Sequence, residues 1–264
     1  MTVFEAILLG IIQGLTEFLP ISSSGHIELT RGILQTEFSD NLLFSIVVHG
    51  ATALSTVVVF RKDIIEIIRE IFKFQWNEHT RFAAQIVISI IPVAIIGLLF
   101  EDQVEAVFTG RIGFVGLMLL ITGLLLSFTS FKKSMDQEIT FKKALIIGIA
   151  QSIAIMPGIS RSGATIATAL LLGVRKEDAT RFSFLMVLVP ILGATFLKVL
   201  DFVENPAIAA STSAITLITG FVVAFLVGLA ACTWMIKIVK RGKLIYFAIY
   251  CFIAGTIAII YAAL

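Results

Sequence analysis

Six stretches of this sequence, at about 41–60, 82–100, 112–131, 182–200, 214–236 and 244–263, are continuously apolar over the length needed to cross hydrocarbon. A bilayer core is roughly 30 Å thick and a helix rises about 1.5 Å per residue, so roughly 20 apolar residues span it. In lipid only a helix or a closed barrel satisfies its own backbone, and runs of this length read as helices, so the fold class is an all-α polytopic membrane protein. Charge agrees, because Asp, Glu, Lys and Arg make up 14% of the residues, where a soluble domain carries about 25%. A net charge of +2 gives no reason to expect a nucleic-acid partner. Cys232 and Cys251 lie within apolar segments and read as small packing residues.

Two further apolar stretches are too short to span. Residues 3–19 stop at Pro20, and the following 24–34 carries His26, Glu28 and Arg31. Residues 144–156 stop at Pro157, and 161–173 is again short. Each reads as helix, break and half-helix, a re-entrant hairpin that returns to the side it came from and is tolerated where protein or water satisfies the loosened backbone. The first stretch is kept as structure and not as a signal peptide, since it carries Glu5, Gln13 and Glu17, lacks a basic leader and runs into SSSGH.

Placing the connections 61–81, 132–143, 174–181 and 237–243 in the cytoplasm puts 16 of the 20 Lys and Arg inside. The opposite connections hold Glu37 and Asp40, then Glu101, Asp102 and Glu105, then Asp201 and Glu204. The first hairpin must then enter from outside and the second from inside, with both termini outside. At an offset of 138 residues, 6–26 aligns on 144–164 with eight identities in 21, where chance gives roughly one or two. The expected architecture is therefore one membrane domain over 1–264, built as an inverted repeat. Repeat one is 1–131, repeat two is 144–264, and 132–143 is a cytoplasmic linker. Such repeats place a site near the midplane, where their broken helices face each other.

Each break starts a half-helix whose first N–H groups lack partners, which in low dielectric favours an anion such as phosphate. The second break adds Arg161 between Ser160 and Ser162, with Thr165 a turn later, and the backbone of Gly158 and Gly163. A guanidinium fork and hydroxyls suit phosphate oxygens. The first break carries Glu17, Ser23 and His26 where the second has Ile155, Arg161 and Ala164. Gln13 and Glu17 lie four apart, on one helical face. A carboxylate beside a phosphate must be protonated, paired with Arg161, or bridged through a divalent cation, Mg2+ or Ca2+, and the reading favours the cation, held by Glu17 and Gln13. Ser23 is the expected hydroxyl nucleophile, within reach of His26 on the same turn, with His26 or water as the alternative attacking group. His49 either lines the cavity or packs between helices. Residues 61–81 read as an amphipathic surface helix, and Gly10 with Gly14 as a close helix contact.

At these positions QGLTEFLPISSSGH (13–26) and PGISRSGAT (157–165) strongly resemble the two signature segments of bacterial undecaprenyl-diphosphatase of the bacitracin-resistance type, and length and span count extend the resemblance over essentially the whole chain. The resemblance implies hydrolysis of undecaprenyl diphosphate to the monophosphate, recycling the carrier for peptidoglycan synthesis. It also implies a divalent-cation requirement, a multi-pass place in the plasma (inner) membrane and a site open to the outer face. The family's Glu-x-x-x-Glu motif falls on Gln13 and Glu17, so this chain lacks the first acid and Glu17 carries that role with water ligands. The family's serine and histidine fall on Ser23 and His26. The expected partners are membrane lipid and a polyprenyl diphosphate, with a homodimer left open. The competing class is a lipid-phosphate flippase or anion transporter using the same midplane site.

Overall fold

The computed structural model describes residues 1–34, 42–99, 112–131, 136–204 and 213–263. Eleven helices make up nearly all of this: α1 Val3–Thr16, α2 Ser23–Leu34, α3 Leu42–Val59, α4 Arg61–Ile71, α5 Glu78–Leu99, α6 Ile112–Phe131, α7 Phe141–Ile153, α8 Arg161–Leu171, α9 Lys176–Glu204, α10 Ala214–Lys240 and α11 Ile245–Ala263. Among the described residues the only β feature is an isolated bridge between Gln137 and Val174.

Five helices, α5, α6, α9, α10 and α11, each hold a segment long and apolar enough to cross a membrane. The sixth expected span is α3, which counts as a span only together with α4, from which it is bent by 76°. The bend comes where RKD at 61–63 ends the apolar run. Helix α4 is amphipathic, with Ile67 buried and Asp63, Glu66 and Arg69 on its polar positions, but it ends at Ile71 and does not run to 81 as expected: a turn over 72–77 precedes α5, which takes up 78–81. Large apolar side chains such as Phe4, Val87, Leu99, Phe131, Ile215, Ile218 and Leu226 point outward from the bundle. An outer surface this apolar has lipid as its solvent. The chain is a multi-pass membrane protein.

Between lipid-bathed helices the hydrophobic effect supplies little attraction, so close contact and backbone approach must hold them together. Glycine does this at α1. A Cβ on Gly14 would lie 2.9 Å from the Ala224 carbonyl oxygen, and one on Gly10 would lie 3.1 Å from that of Gly220, which sets α1 flush against α10. Gly148 is tighter still, since its Cβ would stand 2.2 Å from the Ser89 carbonyl oxygen and would push α7 off α5. The remaining principal contacts pair α6 with α11, α3 with α10, and α9 with both α3 and α5.

The four basic connections meet at one end. Arg181 pairs with Asp63 at 2.6 Å, Arg81 with Glu138 at 3.0 Å, and Lys240 with Glu177 at 3.9 Å. Gln137 ties the segment after α6 to the α8–α9 turn, donating to the Gly173 carbonyl at 3.0 Å and accepting from the Arg175 amide at 3.1 Å. The acidic connections at 35–41, 100–111 and 205–212 lie outside the described residues, as do the side chains of Asp201 and Glu204.

Candidate active site

Both broken helices end as the sequence predicts and meet at the centre of the bundle. α1 stops at Thr16 ahead of Pro20, and α7 at Ile153 ahead of Pro157. Each half-helix is capped by the serine that opens it: the Ser22 hydroxyl accepts from the Gly25 amide at 3.2 Å, and the Ser160 hydroxyl accepts from the Gly163 amide at 3.1 Å. These caps satisfy one orphan donor each. The two turns touch directly. A Cβ on Gly25 would lie 3.1 Å from the Gly158 Cα, and Ser162 Oγ donates to the Leu19 carbonyl at 3.2 Å. Gly158 holds φ +96°, a left-handed conformation that glycine alone adopts without strain. Thr122 on α6 fixes the second turn from outside the motif, accepting from the Ser160 amide at 3.1 Å and donating to the Gly158 carbonyl at 3.3 Å.

Glu17 is the hub. One carboxylate oxygen takes the Arg161 guanidinium, so the two breaks are joined by an ion pair in which the Glu17 side chain is 5% exposed and that of Arg161 30%. The other oxygen accepts from Gln13 Nε2 at 3.0 Å and from Ser23 Oγ at 2.9 Å. Of the three ways a carboxylate can sit beside a phosphate site, pairing with Arg161 is the one the geometry displays. Glu17 and Gln13 are the residues that would hold the cation favoured from sequence. Gln13 Oε1 is buried without a hydrogen-bond partner next to Glu17, a hard oxygen donor of the kind Mg2+ and Ca2+ accept. Among the described residues no three His, Cys, Asp or Glu side chains cluster as a metal cage, so ligands from water or phosphate would have to complete the shell.

A cavity of about 390 Å³ opens on this hub, lined by Glu17, Ser22, Ser23, Ser160 and Arg161 from the breaks and by Ser45, His49, Gln151 and Pro190 from flanking helices. The expected phosphate donors divide. Ser160 and Arg161 line the cavity, whereas Ser162 spends its hydroxyl on Leu19, and Thr165 returns its own to the carbonyls of Arg161 and Ser162 at 3.0 and 3.3 Å. Thr165 instead borders a second, small void that also touches Glu17 and Arg161. Gly163 contributes by shape, because a Cβ there would stand 3.2 Å from Pro20 Cβ.

His26 takes a different place from the expected one. Its ring does not hydrogen-bond Ser23 and is absent from the cavity wall. Nδ1 lies 2.7 Å from the Ser22 carbonyl and Nε2 lies 2.6 Å from the Tyr250 hydroxyl on α11, with the two rings stacked at 5.5 Å. A carbonyl can only accept, so in the neutral ring Nδ1 carries the hydrogen and Nε2 accepts from Tyr250. Tyr250 and Thr122 were invisible to motif reading, since each sits in an otherwise apolar span. A polar side chain deep in such a span was the available signal. Gln151, the repeat partner of Gln13, is buried with neither amide atom partnered.

Comparison with known proteins agrees with the geometry. The chain is 56% identical to the undecaprenyl-diphosphatase of Christiangramia forsetii, covering 99% of both chains. It is 51% identical to that of Bacteroides fragilis, over 99% of this chain and 98% of the other. It is also 40% identical to that of Methanococcus vannielii, over 97% and 99%. Residues 6–257 match the family described as bacitracin resistance protein BacA. With the match running through both broken helices and every flanking span, the chain belongs to that family.

Proposed function

We propose that this protein hydrolyses undecaprenyl diphosphate to undecaprenyl phosphate and phosphate, returning the lipid carrier to cell-wall synthesis and conferring bacitracin resistance. The observation that carries this reading is the Ser23 hydroxyl donating to Glu17 beside Arg161, inside a cavity between two capped half-helices. A hydroxyl already bonded to a carboxylate is an activated nucleophile next to an anion clamp. The terminal phosphate docks against Arg161, the Ser160 hydroxyl and the first-turn amides of α8, and the guanidinium exchanges part of its contact with Glu17 for phosphate oxygens. Ser23 Oγ attacks the terminal phosphorus, its proton passes to Glu17, and the bond to the bridging oxygen breaks, so that the lipid monophosphate leaves. Water then hydrolyses the phosphoserine, releasing phosphate and returning the proton to Ser23. Arg161 and the helix amides stabilise charge on the transferred group throughout. When bound, a divalent cation held by Glu17 and Gln13 Oε1 would neutralise charge on the diphosphate oxygens. His26 acts from the opposite side of the Ser22 turn, holding that backbone against α11 through Tyr250, and direct attack by His26 becomes the less economical variant.

An inverted repeat accounts for the principal contacts between the helices outside α2 and α8. Exchanging α1 with α7, α3 with α9, α5 with α10 and α6 with α11 maps the contact of α1 with α10 onto that of α7 with α5, and maps the α6–α11 and α3–α9 contacts onto themselves. The glycines at those crossings, Gly10 and Gly148, occupy equivalent positions, as do the caps Ser22 and Ser160. In this arrangement the two breaks are re-entrant hairpins, the basic end faces the cytoplasm, both termini face outside, and the site opens outward in the inner membrane. Cysteine labelling from either side at Asp136 and Gly242, in intact cells, tests that orientation.

The experiment for function is phosphate release from a long-chain prenyl diphosphate by the purified protein, with and without chelator. Wild-type rates in Glu17→Gln would sink the hub assignment, and wild-type rates in Ser23→Ala would transfer the attack to water or His26. A flippase or anion transporter on the same site would move lipid phosphate across proteoliposomes without releasing phosphate.

A further inference from the structure

The cavity at the hub has a side branch. A second opening of about 290 Å³ between α3 and α9 is walled by Ile46, Ile191, Ala194 and Thr195, and shares Ser45, His49, Arg161 and Pro190 with the main cavity. The shared residues therefore stand where the chamber that holds the hub meets a more uniformly apolar slot. Ala194 is exposed on the outer surface of α9, which in a bilayer is where acyl or prenyl chains lie. At the junction His49 Nδ1 lies 2.8 Å from the Ser45 carbonyl, which makes it the hydrogen-bearing nitrogen of the neutral ring, and the residue lines both openings. A histidine within a membrane helix is costly unless it meets a ligand or a partner. The mechanism above uses Arg161 on the terminal phosphate and assigns His49 nothing.

A prenyl diphosphate has an apolar chain, then the lipid-linked phosphate, then the terminal phosphate. With the terminal phosphate between Ser23 and Arg161 and the chain in the α3–α9 slot, the lipid-linked phosphate falls on the slot side of Arg161, where His49 also lines the wall. We propose that His49 binds the lipid-linked phosphate, its Nε2 taking up a proton as the anion arrives and then donating to it, and that the chain leaves the site between α3 and α9. The proposal rests on the diphosphatase reading of the cavity. It makes the site a two-phosphate clamp in which Arg161 reads the phosphate that is removed and His49 the phosphate that stays.

Two inhibitors separate the halves of the clamp. Inorganic phosphate imitates the group at Arg161, and farnesyl phosphate imitates the product that keeps its lipid-linked phosphate. In His49→Gln, the inhibition constant for farnesyl phosphate should rise about ten-fold, the loss of one charge-assisted hydrogen bond, while that for inorganic phosphate stays within about two-fold. In Arg161→Lys the order reverses. Equal weakening of both inhibitors in His49→Gln, or none, would overturn the role of His49 and leave the diphosphatase reading standing. That reading fails separately if the wild-type protein releases no phosphate. Ala194→Phe tests the slot without touching the clamp: the KM for a long-chain diphosphate should rise at least five-fold more than that for a five-carbon analogue, and equal effects would place the chain elsewhere.

Discussion

Arg161→Gln breaks the ion pair and leaves the Glu17 carboxylate, 5% exposed, with the hydrogen bonds from Gln13 and Ser23 but without its cation. Removing one partner of a buried pair costs about 3–5 kcal/mol, because the other charge stays desolvated without compensation. Glu17→Gln alone strands Arg161 less severely, since its side chain is 30% exposed to the cavity and keeps water. The double variant Glu17→Gln with Arg161→Gln removes both charges and retains amides able to bond one another, Gln13 and Ser23. It should therefore recover most of the stability lost in Arg161→Gln, a coupling of about 3 kcal/mol. For a chain of this size that corresponds to roughly 6–12 °C in Tm. The assay is thermal unfolding of the detergent-solubilised single and double variants, followed by intrinsic fluorescence, alongside phosphate release. The expected pattern is a recovered Tm with no recovered activity, which separates the pair's structural role from its chemical one. If the double variant melts at the temperature predicted by adding the two single losses, Glu17 and Arg161 do not act as a pair and the hub is misread.

Tyr250→Phe deletes the hydroxyl held by His26 Nε2. Losing one neutral hydrogen bond costs about 1 kcal/mol, so kcat should fall about five-fold with KM unchanged, and a KM effect of equal size would argue for a binding role instead. Gly148→Ala sets a methyl 2.2 Å from the Ser89 carbonyl oxygen, whereas a Cβ on Gly193 meets nothing within 4 Å. The first should lower Tm by several degrees, and Gly193→Ala should stay within about 0.5 kcal/mol of wild type, both read from melting curves. Gln13→Glu supplies the second carboxylate that the family motif carries at this position. If a cation bridges Glu17 to the diphosphate, its half-saturating Mg2+ concentration should fall about ten-fold, as measured by phosphate release across a metal titration, and an unchanged value would detach the metal from Gln13.

The parts of this fold that were legible in the sequence are those that solvent or backbone stereochemistry imposes. Span limits agree with helices α5, α6, α10 and α11 to within four residues, and with α9 to within six, because hydrocarbon thickness sets a minimum apolar length that packing cannot alter. The breaks were legible because a proline followed by a capping serine ends one helix and opens the next, a local effect that Pro92 and Pro190, inside α5 and α9 with no such cap after them, do not produce. The bend of 76° between α3 and α4 was partly legible, since the RKD cluster marks where the apolar face ends but carries no angle. What could not be read was the direction of each side chain at the hub. Ser23 and His26 share a helical turn, which suggests a pair, yet their side chains diverge to Glu17 and to Tyr250. Sequence spacing fixes where a Cβ lies and leaves χ1 to whatever each side chain meets, and Tyr250 comes from a helix 224 residues away. The ion pair of Glu17 with Arg161 had been one option of three. It becomes the displayed one because the two half-helices abut at Gly25 and Gly158, so closely that a carboxylate from one and a guanidinium from the other have each other as the nearest opposite charge. On the proposed mechanism phosphate must compete with that contact, and a carboxylate beside a diphosphate then has a function: it would keep Arg161 positioned until the substrate arrives, and receive the Ser23 proton when the guanidinium turns to the phosphate.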